Sequence, residues 1–243
     1  MQNFVYPRLA LNPRVAGESM NIHMLYGEPY CTAGNCAGTP FRTAILCAAK
    51  LFYVSAMNPR ITDSRLVYDG WYKLFRLEIA MDEGVTVERH LLDNGSAVAV
   101  LPYDPVRRTV MLISQPRAAV LAAGHEPLFE AIAGNLDRAA PAERICEEAL
   151  EEAGLTLGAL EPVANIWPIP PVSTERVQLY LASYDTDSIV GPGGGAPDEH
   201  EFISVHEIDL DALKGLVEAG DLPDAKTLVL AQALMLRHPE LRR

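Results

Sequence analysis

Residues 143–153 read Glu-Arg-Ile-Cys-Glu-Glu-Ala-Leu-Glu-Glu-Ala, with five glutamates and one arginine in eleven positions. On a helix turning about 100° per residue, Ile145, Cys146, Ala149, Leu150 and Ala153 share one side, and Glu148, Glu151 and Glu152 share the opposite side. Glu148–Glu152 and Glu147–Glu151 are then i,i+4 neighbours and Glu148–Glu151 an i,i+3 pair, and like charges at those spacings destabilise a helix. Arg144 cannot neutralise them all. A bound divalent cation can, and carboxylate oxygens are the ligands that Mg²⁺ and Ca²⁺ prefer. The eleven residues taken alone fit an ordinary amphipathic helix with a solvated acidic face equally well.

A second acidic cluster, Asp198-Glu199-His200-Glu201, ends a glycine-rich loop spanning 191–201, with Gly193-Gly-Gly195 at its centre. Metal-assisted hydrolysis of a phosphoanhydride needs cations on the phosphates, a carboxylate to take a proton from water, and basic donors for the remaining oxygens. The acidic helix can supply the first of these. The cluster in the loop can supply the second, on a segment able to approach or leave a site, or it can be a solvated loop.

The flanks of the helix narrow the choice. Pro141 suits a first helical position and Gly154 a C′ stop. Upstream stands Glu130-Ala-Ile-Ala-Gly134, and the whole run closes with Glu-Glu-x-x-Glu-Glu-x-Gly-Leu155. This resembles the Nudix box of hydrolases acting on nucleoside diphosphates linked to another group. Asp69-Gly-Trp-Tyr72, Leu112-Ile-Ser-Gln-Pro-Arg117 and Gly193-Gly-Gly…Glu199-His-Glu-Phe-Ile203 stand around it in the order found in the ADP-ribose and GDP-mannose pyrophosphatase branch. Gly220-Asp-Leu-Pro-Asp-Ala-Lys-Thr227 resembles the start of that branch's last helix. The resemblance covers Arg60 to the C-terminus, about three quarters of the chain.

That resemblance implies an α/β Nudix fold, a mixed β-sheet sandwiched between helices, with antiparallel strands at its N-terminal side. It implies Mg²⁺, with Mn²⁺ able to substitute, held by Glu148, Glu152, the Ala133 carbonyl and Glu201. Glu199 would be the catalytic base, with Glu151 close by; Arg117 would contact phosphate, and Arg89 stands where the family often has basic substrate contacts. The implied reaction splits the pyrophosphate of a nucleoside diphosphate sugar of the ADP-ribose or GDP-mannose type. The alternative is a non-catalytic Nudix domain that binds such a ligand as a sensor. A homodimer paired through the N-terminal strands is also implied.

The chain departs from the usual box in three ways. Glu147 stands where the box has arginine, and Ala139 and Ala140 stand where it has an early glutamate, a pair that normally forms a salt bridge. Losing both leaves no orphan charge. The gap from Gly134 to Gly154 is 20 residues, one shorter than usual. Pro168–Ser173 also occupies a place where relatives carry glycines.

The elements needed to position these residues can be read from periodicity. Strands are expected at Val67–Ala80 and Val85–Leu92, Ser96–Tyr103 and Thr109–Gln115, Phe129–Ala133, Leu160–Trp167 and Arg176–Ser183, and Phe202–Glu207. Helices are expected at Pro141–Ala153, Leu210–Glu218 and Thr227–His238, the last behind a cap-like Asp224. Residues 1–56 carry few charges and show no sustained period before Thr43. They are expected to be a poorly ordered extension to a catalytic domain spanning 57–243, itself divided into N-terminal strands (57–95) and a core (96–243).

Composition sets the outer bounds. A net charge of −12 argues against nucleic-acid and anionic-membrane surfaces, which attract basic patches. No run of about 18 apolar residues suggests a membrane span. The scattered Cys31, Cys36, Cys47 and Cys146 fit reduced thiols in a cytoplasmic protein, and Cys31 and Cys36 with His23 are only a weak metal motif.

Overall fold

A computed structural model describes residues 58–136, 140–196 and 201–242. The extension at 1–56 and its expected boundary lie outside the described residues. Two sheets organise the chain. The smaller is an antiparallel meander of β1 (Arg60–Asp69), β2 (Lys73–Ala80) and β3 (Thr86–Asp93). The larger contains β4 (Ser96–Asp104), β5 (Thr109–Ser114), β6 (Ile132–Leu136), β7 (Leu160–Ile166), β8 (Val177–Ser183) and β9 (Ser204–Asp209). Its order is β7-β8-β4-β5-β9, with β6 also pairing along β4. The β4–β8 pair is parallel and the others antiparallel, so the sheet is mixed.

β4 explains the layering. Its sequence Ser-Ala-Val-Ala-Val-Leu is apolar at nearly every position, as a strand covered on both faces must be. Val98 and Val100 look to one side, where Met111, Ile113 and Ile132 pack with Ile145, Ala149 and Ala153 of α2 (Pro141–Ala153). Ala97, Ala99 and Leu101 look to the other, against Leu213 of α3 (Leu210–Ala219) and Leu230 and Leu234 of α4 (Ala225–Arg237). A mixed sheet between helices is the expected architecture. Asp224 caps α4 as its sequence suggests, accepting from the Thr227 N–H at 3.0 Å. No helix among the described residues is long and apolar enough to cross a membrane.

Four expectations need correction. Val67–Ala80 is not one strand. It breaks into β1 and β2 at Gly70–Tyr72, where Tyr68 folds its ring onto Gly70: a Cβ there would lie 2.3 Å from the ring. β1 begins earlier than expected, at Arg60. The strand expected at Phe129–Ala133 is displaced to Ile132–Leu136, because Glu130 turns aside to pair with Ile113 in an isolated bridge. A short helix, α1 (Ala118–Ala122), occupies a stretch where none was expected.

Candidate active site

The site is built where α2 crosses β6. Glu148 lies against Gly134, and a Cβ at that glycine would fall 1.6 Å from Glu148 Oε1. Only a residue without a side chain leaves room for the carboxylate. Four residues on, Glu152 is 1% exposed, and its Oε2 accepts the Ala133 N–H at 3.1 Å. In an extended strand the N–H and C=O of one residue point to the same edge. The Ala133 carbonyl therefore turns toward the same edge as Glu152. The fold brings Glu148, Glu152 and Ala133 together.

The helix is rolled relative to expectation. Glu148 and Glu152 are buried alongside Ile145, Ala149 and Ala153, while Leu150 and Cys146 are exposed. Averaged around the axis at 100° per residue, the buried stripe is turned by about 60° from the apolar side. The two carboxylates take the place of Cys146 and Leu150 because β6 offers them Gly134 and a backbone donor.

The electrostatics follow from this burial. Removal from water pushes the Glu152 carboxyl up to about 8; the neighbouring charges of Glu148 and Glu201 add to the rise, and the Ala133 N–H opposes it. Among the described residues no cationic side chain bonds Glu152. Arg144 pairs with Glu148, with Glu147 at 3.2 Å and with Glu151 at 3.6 Å. Glu151 remains on the outer flank, 44% exposed in its side chain.

The glycine-rich loop is docked on the end of α2 more firmly than expected. The N–H groups of Gly194 and Gly195 donate to the carbonyls of Glu152 and Glu151 at 2.9 and 3.0 Å, satisfying the last turn of the helix. Gly193 approaches so closely that a Cβ would stand 2.4 Å from the Glu152 oxygen, and its φ of +66° suits glycine. Glu201 Oε2 lies beside Gly195, which places Glu201 on the Glu152 side. Glu199, the expected base, falls outside the described residues with Asp198 and His200. Among the described residues, no three acidic, histidine or cysteine side chains form a ready-made metal cluster.

Arg117 reaches the site region with its guanidinium engaged. Its Nε and Nη2 donate to the two Glu130 oxygens at 2.9 and 3.0 Å. Lys226 donates to the same carboxylate at 2.6 Å and to Asp224 at 3.0 Å. These contacts hold the Glu130 carboxyl below its usual range even though burial acts the other way. Glu130 and Lys226 were missed as functional candidates; the signal was a charge inside the apolar run Phe129–Ala133. Arg89 lies on β3, where its Nη1 donates to the Glu88 carbonyl at 2.8 Å, and none of its described hydrogen bonds reaches α2. Pro168–Ser173 is tied to the end of β3: the Leu92 N–H donates to the Val172 carbonyl at 2.6 Å, and Ser173 Oγ donates to Asn94 at 2.6 Å.

The chain is similar to curated proteins over most of their length. It is 33% identical over 188 residues to the GDP-mannose pyrophosphatase of Cronobacter sakazakii, spanning 75% of this chain and 97% of that one. It is 32% identical over 183 residues to the same-named protein of Pectobacterium atrosepticum, spanning 73% and 94%. The solved structure of an ADP compounds hydrolase matches with a TM-score of 0.62 and 16% identity, over 75% of this chain and 95% of that one, a likeness of fold. No family model matches the chain.

Proposed function

The chain belongs to the Nudix hydrolase superfamily, in its ADP-ribose and GDP-mannose pyrophosphatase branch, and we propose that it hydrolyses GDP-mannose or a close nucleoside diphosphate sugar with Mg²⁺ or Mn²⁺. Water attacks one phosphorus, the bridging P–O bond breaks, and the products are a nucleoside monophosphate and a sugar phosphate. The names of the relatives favour GDP-mannose over ADP-ribose. The observation that carries the reading is Glu152: a carboxylate almost wholly buried, raised toward neutrality, with Glu148 and Glu201 near and no described cation bonded to it.

The donors fit a hard divalent cation, since all are oxygens: Glu148, Glu152, Glu201 and the Ala133 carbonyl. Such a cation would neutralise the diphosphate and the developing charge on it. The protein's own groups do the rest. Gly134 and the Ala133 N–H hold the two helix carboxylates in place. Glu199 takes the proton from the attacking water. Arg117, braced by Glu130, offers its remaining N–H groups to a phosphate oxygen. Arg89 stays a candidate substrate contact only if a partner chain brings a site to it.

A homodimer fits the small sheet. β1 is an edge strand exposed along its whole length, with Ile61, Leu66, Val67 and Tyr68 uncovered and Trp71 87% exposed at the turn that follows. An apolar edge of this kind invites a second copy. A cytoplasmic location goes with a nucleotide-sugar substrate.

The deciding assay incubates the protein with GDP-mannose, ADP-ribose and other nucleotide sugars, with and without Mg²⁺, and follows release of the nucleoside monophosphate. Metal-dependent release from GDP-mannose is expected. Tight binding without release would make the protein a sensor instead. Replacing Glu199 with Gln should lower kcat while leaving KM and metal affinity nearly intact, the pattern of a lost transition-state role. Loss of metal binding in that variant would make Glu199 a ligand and move the base to Glu151 or Glu201.

A further inference from the structure

α2 carries its excess negative charge unevenly. At 100° per residue, and with Arg144 set at zero, Glu147 lies near −60°, Glu151 near −20°, Glu148 near +40° and Glu152 near +80°, all about the helix axis. The Arg144 guanidinium sits among the first three and forms an ion pair with each: Nη1 with Glu147 and Glu151, and Nη2 with Glu148 Oε1. It is not bonded to Glu152, which lies beyond Glu148. The same Oε1 is the oxygen packed against Gly134. One oxygen of Glu148 is thus held between Nη2 of Arg144 and Gly134.

The chain has a reason to need this clamp. Glu147, Glu148, Glu151 and Glu152 crowd four carboxylates into six residues, and like charges at i,i+3 and i,i+4 repel. Arg144, one turn upstream, is the basic residue of α2. Its planar fork can serve several carboxylates at once in fixed directions. A lysine ammonium is a point charge that cannot.

We propose that Arg144 is a positioning residue: it gathers Glu147 and Glu151 on the outer flank of α2 and holds the Glu148 carboxylate against Gly134, beside Glu152, where the pair would receive a cation. The inference rests on the reading of Glu148 and Glu152 as the metal pair. The described partners of Arg144 are carboxylates of its own helix.

The test uses Arg144→Lys, which keeps the net charge and therefore the long-range attraction for a cation, and removes only the fork. Mn²⁺ binding is measured on the full chain by the loss of the free-ion signal in electron paramagnetic resonance, beside kcat, KM and a melt in EDTA. The expected result is Mn²⁺ binding weaker by about threefold to tenfold and kcat lower by a similar factor. KM for the nucleotide sugar should stay within about twofold, and the melting temperature in EDTA should be close to that of the wild type. A second pair, Arg144→Gln alone and with Glu147→Gln, separates position from charge balance. The double variant should recover the melting temperature in EDTA, because repulsion is relieved, and should keep the low Mn²⁺ affinity. Wild-type Mn²⁺ affinity in Arg144→Lys, or recovery of affinity together with the melting temperature in the double variant, overturns the proposal. If the wild type releases no product from any nucleotide sugar, the functional reading fails by itself, and the Mn²⁺ arm still judges Arg144.

Discussion

Two glutamates flank the same short strand and meet opposite treatment. Glu130 precedes β6 and is 3% exposed; Glu152 docks on its second residue and is 1% exposed. Glu130 receives a guanidinium fork from Arg117 and an ammonium from Lys226, and its carboxyl is held below the usual range. Glu152 receives one backbone N–H, and its carboxyl is pushed up to about 8. Burial penalises both anions alike. The fold offsets the first penalty with its own cations and leaves the second in place. Glu130 is thus paired within the fold, and Glu152 is left with a burial penalty that the proposed cation would relieve. Perturbed groups of the second kind mark functional sites.

The strongest way to break this contrast is to neutralise each carboxylate without changing its shape. Glu152→Gln should lower turnover by about a hundredfold or more, the usual scale for losing a charge-stabilising group at a reacting centre. Its melting temperature in EDTA should hold or rise, since a buried unpaired charge has gone. Unchanged turnover would remove Glu152 from the site, and a collapsed melt would make it structural.

Glu130→Gln should do the reverse. It leaves Arg117 and Lys226 facing each other without their shared anion. Removing one partner of a buried pair costs roughly 3–5 kcal/mol, and the two-fifths exposure of Arg117 screens part of that. A loss of about 2–3 kcal/mol is expected, roughly 5–10 °C in a calorimetric melt for a chain of this size. Turnover should fall less than in Glu152→Gln, through a loosened Arg117. A melt within a degree of wild type would show that Glu130 braces nothing.

Much of this arrangement was legible in the sequence, and the failures have physical causes. The five glutamates of α2, Pro141 and Gly154 identified the helix and its stop, because spacing along one helix is local information. The roll that buries Glu148 and Glu152 was not legible. It depends on β6 presenting a glycine and a free N–H, which no periodicity within α2 reveals. Glu130 and Lys226 are 96 residues apart in the chain, so neither predicts the other. The turn at Gly70 was hidden because Leu-Val-Tyr and Trp-Tyr-Lys-Leu-Phe both read as strand, and only the fit of Tyr68 over Gly70 separates them. Glu199 lies outside the described residues.

The finest test of the contrast is the dependence of stability on pH. Glu130 has a depressed carboxyl in the folded chain, so its contribution is full above the unfolded value near 4.5 and is lost as pH falls through the lower folded value. The gap in melting temperature between wild type and Glu130→Gln should therefore be constant from pH 7 down to about 5 and close as the solution is acidified further. Glu152 has a raised carboxyl, so the sign reverses. With metal chelated, its contribution is full below about 4.5 and is lost as pH rises through about 8. Wild type and Glu152→Gln should melt together near pH 5, and the variant should be the more stable at pH 8.5, by a few degrees at most since local relaxation and water entry weaken such penalties. Melts in EDTA across this range measure both gaps. Parallel curves for the two variants would mean that the two carboxylates are in equivalent environments, and the distinction between brace and cation site would fall.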